Sequence, residues 1–275
     1  MINSLNTNSS STSAINSFGS AQSAVQSSQK RIASGRRVAD AYDDGAAFSV
    51  AEGLRGDTAA LGAANERLAV GKGMIDVAVK AGQFISSSMS DVKATLIKLS
   101  DSSLSERDRA NYQAQYNSQV KDIGAFVKDA KYNGVNLLQQ GAKNQNIASN
   151  GSGGSVTVPA QDLESSIANV LSGADVSSAS AAAALLQPGG AFSQAEEGLG
   201  SAMNNLSSSA RSVNNSIKAN SSIMDATEAG LGEIVDADLA KEAASLSAAQ
   251  AKQQLAGQSL SIANQAPQSL LGLFQ

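Results

Sequence analysis

The stretch Leu54–Leu99, LRGDTAALGAANERLAVGKGMIDVAVKAGQFISSSMSDVKATLIKL, decides the fold. Within it Leu54, Leu61, Leu68, Ile75, Gly82, Met89 and Leu96 fall every seventh residue. A companion row reads Ala64, Gly71, Ala78, Ile85, Val92 and Leu99. Two rows at this spacing make a continuous seam on one helix, the pattern of a coiled coil or a long bundle helix. At 1.5 Å per residue that helix runs about 70 Å. Its glycines and alanines let a partner backbone approach closely, at some cost in helix propensity.

The second half of the chain supplies the partner. Met203, Ala210, Ile217, Met224 and Leu231 form one heptad row, and Leu199, Leu206, Val213, Asn220, Thr227 and Ile234 form the other. A shorter helix between them is carried by Tyr112, Tyr116, Ile123, Phe126 and Ala130, and it stops at the turn signal Tyr132-Asn133-Gly134. None of the three helices can bury its seam alone, so the expected fold class is all-α, a long antiparallel helical bundle. From Gln139 to Gly190 the character changes: Asn150–Gly154 is linker-like, Val156-Thr157-Val158 is a candidate strand, and Ala181–Ala184 is low in complexity. This reads as a small irregular or β insertion exposed to solvent.

Composition narrows the chemistry. There is no cysteine and no histidine in 275 residues, which removes thiolate chemistry and the commonest general base and metal ligand. No nucleophile–base constellation stands out, so no catalytic residue, cofactor site or metal site is expected. A net charge of -4 without a basic cluster argues against nucleic-acid binding. Met1–Ser20 lacks the apolar core of a secretory signal, and no apolar run is long enough for membrane insertion.

The two ends carry the most informative pattern. Met1–Gln29 and Gln253–Gln275 hold no charged side chain. Both still show helical apolar rows: Phe18, Val25 and Ile32 at one end, Leu239, Leu246 and Leu260 at the other, with Leu255 and Ile262 as a second C-terminal row. A solvated helix is normally laced with Lys and Glu. Helices without charge but rich in Ser, Asn and Gln suit burial on all sides. As free tails in a monomer the same segments have few partners and would be disordered.

These residues resemble a family. Ile2-Asn3-Ser4-Leu5-Asn6-Thr7-Asn8 is similar to the opening of bacterial flagellins. Arg31-Ile32-Ala33-Ser34-Gly35, then Ala41-Tyr42-Asp43-Asp44-Gly45-Ala46-Ala47 and Ala51-Glu52, resemble their N-terminal signature. Lys131–Leu138 resembles their Asn-Gly turn, and Ala263–Gln268 followed by Leu270-Leu271-Gly272-Leu273-Phe274 resembles their close. Arg36 and Tyr42 depart from it, an apolar residue and a Lys being usual there. Asp91 and Ala94 on the long helix resemble flagellins of the short alphaproteobacterial type.

The resemblance implies a subunit whose N- and C-terminal segments pair as coiled-coil helices and which polymerises with itself into the extracellular flagellar filament. Export would run through the flagellar type III apparatus, with an export chaperone on the C-terminal helix and with the filament cap and hook–filament junction proteins as partners. The implied division is an N-terminal inner-tube helix (1–42), bundle segments 43–138 and 191–234, the variable surface-exposed insertion 139–190, and a C-terminal inner-tube helix (235–275). Inter-subunit contacts are expected at Ile2, Leu5, Phe18, Val25, Arg31, Ile32, Leu239, Leu246, Leu255, Leu260, Ile262, Leu270, Leu271, Leu273 and Phe274. Asp43 and Asp44 are read first as a helix N-terminal cap, and second as inter-subunit contacts to a basic group such as Arg31, Arg36 or Arg37. The run Arg107-Asp108-Arg109 is read as a solvated face. Competing functions are the junction protein of the same fold, a soluble coiled-coil adaptor, and a Ser/Lys hydrolase for which no motif speaks.

Family members that animal innate immunity detects carry an Arg-rich patch with a Glu on the long helix. In the matching stretch Ser90–Thr95 the Arg has become Asp91 and the Glu has become Ala94. Poor recognition by the flagellin-sensing Toll-like receptor is therefore expected. Reporter cells given purified monomer should stay near baseline, and a full response at low concentration would contradict this.

Overall fold

The computed structural model describes residues 8–271, with side-chain surroundings through Gln265. Ile2, Leu5, Leu273 and Phe274 lie outside the described residues, as do the side chains of Leu270 and Leu271. The long helices are α1 (Ser9–Ser34), α2 (Gly45–Leu99), α3 (Glu106–Asp129), α6 (Ala191–Val235) and α7 (Leu239–Leu271). Between α3 and α6 lie strands β1 (Lys131–Tyr132), β2 (Val135–Asn136), β3 (Gln145–Ala148) and β4 (Ser155–Val158). A π-helical stretch (Glu164–Asn169) follows and runs into α4 (Val170–Ser172), and then comes α5 (Ala179–Leu186). The chain forms two compact units, one of residues up to Gly56 with those from Ala226, the other of Asp57–Asp225. Both borders fall inside long helices, α2 and α6. The helix breaks near residues 42 and 234, where the sequence signals place the divisions, belong to the first unit.

The 57–225 unit is the expected bundle. Leu68, Ile75, Ala78, Ile85, Met89, Val92, Leu96 and Leu99 of α2 are buried against Tyr116, Val120, Ile123 and Val127 of α3 and Leu199, Leu206 and Val213 of α6. Each fully buried aliphatic side chain contributes about 1.5–3 kcal/mol. The heptad spacing thus translates into a core. Asn220 sits on a heptad row and is buried; its Nδ2 donates to Asn65 Oδ1 at 2.9 Å and to the Ser149 carbonyl at 2.8 Å. A buried amide that is satisfied in one alignment fixes the register of α2, α6 and the β3–β4 hairpin together.

Two local devices close the helices. Ser105 Oγ accepts from the Asp108 amide at the start of α3, and Arg109 donates to the Leu99 and Asp101 carbonyls, satisfying the end of α2. Arg109 is therefore a cap of the preceding helix rather than part of a solvated charge run. At the other end of α3, Asn136 Nδ2 donates to the Val127 carbonyl. The β1–β2 hairpin pairs Tyr132 with Val135 around Asn133 (φ 49) and Gly134 (φ 80). Two consecutive positive φ values are what a two-residue hairpin needs, and they explain the Asn-Gly pair.

Residues 139–190 require a correction. Val156–Val158 does form a strand, in the antiparallel β3–β4 hairpin, but the segment is not merely a solvent-facing insertion. Ile147, Val158, Leu163, Ile167, Leu171, Val176 and Ala182 are buried in the same core as the bundle helices. The Tyr116 hydroxyl donates to the Leu171 carbonyl at 2.7 Å, and burial pushes its pKa up to about 12. The physical reason is the small-residue seam: slender helices leave an apolar flank that Leu163, Ile167 and Leu171, spaced four apart, cover.

The glycines of α2 differ in what they tolerate. A methyl at Gly73 would lie 2.7 Å from Cζ of the Tyr132 ring, whereas one at Gly82 meets the flexible thioether of Met203. Gly73→Ala should lower stability by about 1–3 kcal/mol, and Gly82→Ala by less. Urea melts of the two variants check the order; an equal or reversed cost would contradict it.

Candidate self-assembly face

In the first unit α1 and α7 pair antiparallel. Asn8 Oδ1 accepts from the Ser11 amide and so caps α1, while its Nδ2 donates to the Ala263 carbonyl at 2.8 Å. Ser11 Oγ donates to Asn264 Oδ1 at 2.8 Å. At the opposite end Arg31 Nη1 meets Glu242 Oε1 at 3.1 Å. Gly35, at φ 68, ends α1 in the left-handed conformation that favours glycine.

The seam between them follows the heptads. On α1, Phe18, Val25 and Ile32 are buried or half-buried, together with a second row of Ala14, Ala21 and Ser28 that apolar spacing alone did not reveal. On α7, Leu246 and Leu260 are half-buried and Ala249 and Ala256 buried. The second row owes its concealment to small side chains, which let the helices close on each other.

Other members of the expected set point elsewhere. Leu239, Leu255 and Ile262 are exposed, at 53%, 62% and 69%, and so is Ile15 of α1, which the apolar rows missed. Ile262 lines an open groove of about 740 Å³ whose other walls are Ala14, Ala256, Ala263 and the serines 9, 10, 13, 17 and 259. The groove is lined by hydroxyls and small apolar groups and carries no charged side chain. It can take up a helix carrying short side chains.

The connectors hold their own cluster. Backbone bonds join Arg37 N–H to the Val235 carbonyl (2.7 Å) and Ala237 N–H to that of Gly35 (3.0 Å), over a small core of Val38, Ala51 and Val235. Asp44 caps α2, its Oδ1 accepting from the Ala46 and Ala47 amides. Asp43 instead accepts from the Ala39 and Asp40 amides and pairs with Lys30 at 3.0 Å. Within the chain, then, the basic partner of Asp43 is Lys30, not Arg31, Arg36 or Arg37. Tyr42 beside it is fully exposed.

With this geometry established, two family regions match the chain. The bacterial flagellin N-terminal helical region matches residues 5–143, and the C-terminal helical region matches 190–274. The chain belongs to the bacterial flagellin family. It is similar over its full length to flagellins FljM and FljK of Caulobacter vibrioides, each 30% identical with 100% of this chain and 99% of the relative covered. It is also 34% identical to a flagellin of Brucella melitensis, with 98% of each covered. Flagellins are structural proteins, and this one is a filament subunit; the junction-protein, adaptor and hydrolase readings are not favoured. The two regions leave 144–189 between them, the part of the insertion that packs into the bundle.

The Lys30 cluster is pH-sensitive in a defined direction. Hydrogen bonding to Lys30 holds the Asp40 and Asp43 carboxyls below the ordinary 3.8, and hydrogen bonding to Asp40, then Asp43, raises Lys30 above 10.5. The carboxylate contribution is full above pH 3.8 and lost as pH falls through the lowered values; that of Lys30 is full below 10.5 and lost as pH rises through the raised one. Amide-exchange protection at Ala39 and Asp40 should therefore hold down to about pH 4 and fall as pH drops from there towards ~2. Asp43→Asn, which keeps an acceptor for these amides but no charge, should flatten that fall; an unchanged acid limb would contradict the assignment.

Proposed function

We propose that the α1–α7 pair is the polymerising element of this flagellin and that its solvent-facing side chains, Ile15, Leu255 and Ile262 with Leu239 at the start of α7, are buried by neighbouring subunits. What carries the reading is one observation: Ile15, Leu255 and Ile262 are exposed apolar side chains on stretches that bear no charge, before Lys30 or after Lys252. The terminal residues Ile2, Leu5, Leu270, Leu271, Leu273 and Phe274 take part in the same contacts between subunits. Phe18, Val25, Ile32, Leu246 and Leu260 hold the pair together within the subunit, and Arg31, with Asp43 and Asp44, sets the ends of the helices that present it.

On this reading the terminal helices line an inner tube and the bundle forms the outer one. One copy's groove takes an unlike surface of the next, the heterologous contact that gives an open helical polymer. The chain passes through the type III export apparatus unfolded, with a chaperone on the C-terminal helix, and is added under the filament cap outside the cell. Asp91 and Ala94, both exposed on α2, leave a Toll-like receptor without the charges it meets on other flagellins.

Seeded elongation tests this. Leu255→Asp and Ile262→Asp place charge on surfaces already exposed in the monomer, so helix content should be unchanged while growth from filament fragments falls at least about tenfold. Removal of residues 1–29 or 253–275 should abolish growth. Parental growth rates in the Asp variants would contradict the proposal, and binding to seeds without extension would favour the junction protein.

A further inference from the structure

The sequence holds two Asn-Gly pairs, Asn133-Gly134 and Asn150-Gly151. An asparagine before glycine is chemically labile, because the bare glycine leaves its backbone nitrogen open to the neighbouring carboxamide. Both asparagines are exposed, so access to water does not separate them. Their backbone settings do.

We propose that Asn133 is a self-modification site, converting to aspartate and isoaspartate through a cyclic imide, while its loop holds Asn150 out of the same reaction. First the Gly134 nitrogen attacks Asn133 Cγ and gives up its proton. A C–N bond forms there, and the Cγ–Nδ2 bond breaks with loss of ammonia. Water then adds to either carbonyl of the ring. Opening on one side leaves an aspartate; opening on the other routes the main chain through Cβ and Cγ as isoaspartate. Nothing is oxidised or reduced, and water is the one co-reactant.

The hairpin supplies the geometry. Closing the five-membered ring needs the Gly134 nitrogen eclipsed with Cβ about the Asn133 Cα–C bond, which is a ψ of about −120°. A type II′ turn gives its first central residue that ψ together with a positive φ. Asn133 already stands at φ 49 beside Gly134 at φ 80, the signs of a type I′ turn, and no other non-glycine among the described residues has a positive φ. Turning over the one peptide plane between them converts I′ to II′. Two-residue hairpins accept both, so Tyr132 and Val135 stay paired meanwhile. Glycine crosses between the two signs of φ at no steric cost. Neither the Asn133 carboxamide nor the Gly134 N–H has a hydrogen bond among the described residues to give up.

Asn150 is tied down. Its Oδ1 accepts from the Ser152 N–H at 3.0 Å and the Gly154 N–H at 2.7 Å, in a loop closed by the Ser149 N–H on the Gly154 carbonyl at 2.8 Å. Swinging Cγ onto the Gly151 nitrogen gives up both side-chain bonds, which slows the reaction about tenfold or more.

Isoaspartate at 133 reaches the core. It adds an atom to the main chain of a two-residue loop, so the Tyr132–Val135 pairing is lost. Tyr132 lies over Gly73 of α2, and Asn136 donates to the Val127 carbonyl and accepts from the Leu138 N–H, each at 2.7 Å. Opening the hairpin therefore loosens the seat of α3 on α2.

Ageing the full-length monomer in mildly alkaline buffer tests this. Trypsin cleavage after Lys131 and Lys143 puts the two pairs on different peptides. Mass spectrometry reads the acid, and methyl transfer by an isoaspartate methyltransferase reads the isoaspartate. Conversion at Asn133 should exceed that at Asn150 about tenfold or more in the folded chain, and the two should level out in urea. The aged chain should melt at a lower temperature. Asn133→Gly, which keeps a Gly-Gly turn of the same type, should age without that loss. Equal conversion at both pairs in the folded chain, greater conversion at Asn150, an intact Asn133, or the same loss of melting temperature in Asn133→Gly would each overturn the proposal.

Discussion

The α1–α7 pair has to hold its solubility through hydroxyls and amides, because no charged side chain precedes Lys30 or follows Lys252. The other features of this unit follow from that constraint. Ser, Asn and Gln pair locally, as Asn8 does with Ser11 and with the Ala263 carbonyl, so the face stays wettable without the desolvation cost that lysines or glutamates would impose on burial. Charge is kept to the connector end, where Arg31 meets Glu242 and Lys30 meets Asp40 and Asp43. Those pairs are partly exposed and add little stability. Their use is positional, holding the turn between α1 and α2 in one shape.

The bundle unit solves a different problem with the same small residues. Alanine and glycine in the α2 seam allow close approach but supply little apolar volume, so large side chains come in from elsewhere: Met203 over Gly82 and Ile147 over Gly71. The 139–190 segment is then part of the packing, contributing Leu163, Ile167 and Leu171 to the core. Asn220 fixes how these parts align, since its amide is satisfied only with Asn65 and the Ser149 carbonyl in place.

Much of this was legible in the sequence because long helices repeat their signal. The α2 and α6 heptads, the Asn133-Gly134 turn and the Asp44 cap each state a local physical requirement. The α1 seam was half legible: Phe18, Val25 and Ile32 announce themselves, whereas Ala14, Ala21 and Ser28 are seam residues only by virtue of their size. Leu255 and Ile262 read as a second row, but spacing cannot tell a row that packs within the subunit from one that faces out. The Lys30–Asp43 pair was hidden by the reversal of the chain at Gly35, and the burial of 139–190 by low complexity around three well-spaced apolar residues. Charge depletion said that the ends need partners, and geometry said which side chains wait for them.

The central claim is that the outward row of the terminal pair is solvent-facing in the free subunit and covered in the polymer. A unique thiol placed by Ile262→Cys, titrated with a water-soluble maleimide before and after seeded growth, tests it most directly. Rapid labelling of the monomer and at least about tenfold protection in the filament is the expected result. Equal labelling in both states would mean that the row stays in water, and that the filament is held together by other surfaces.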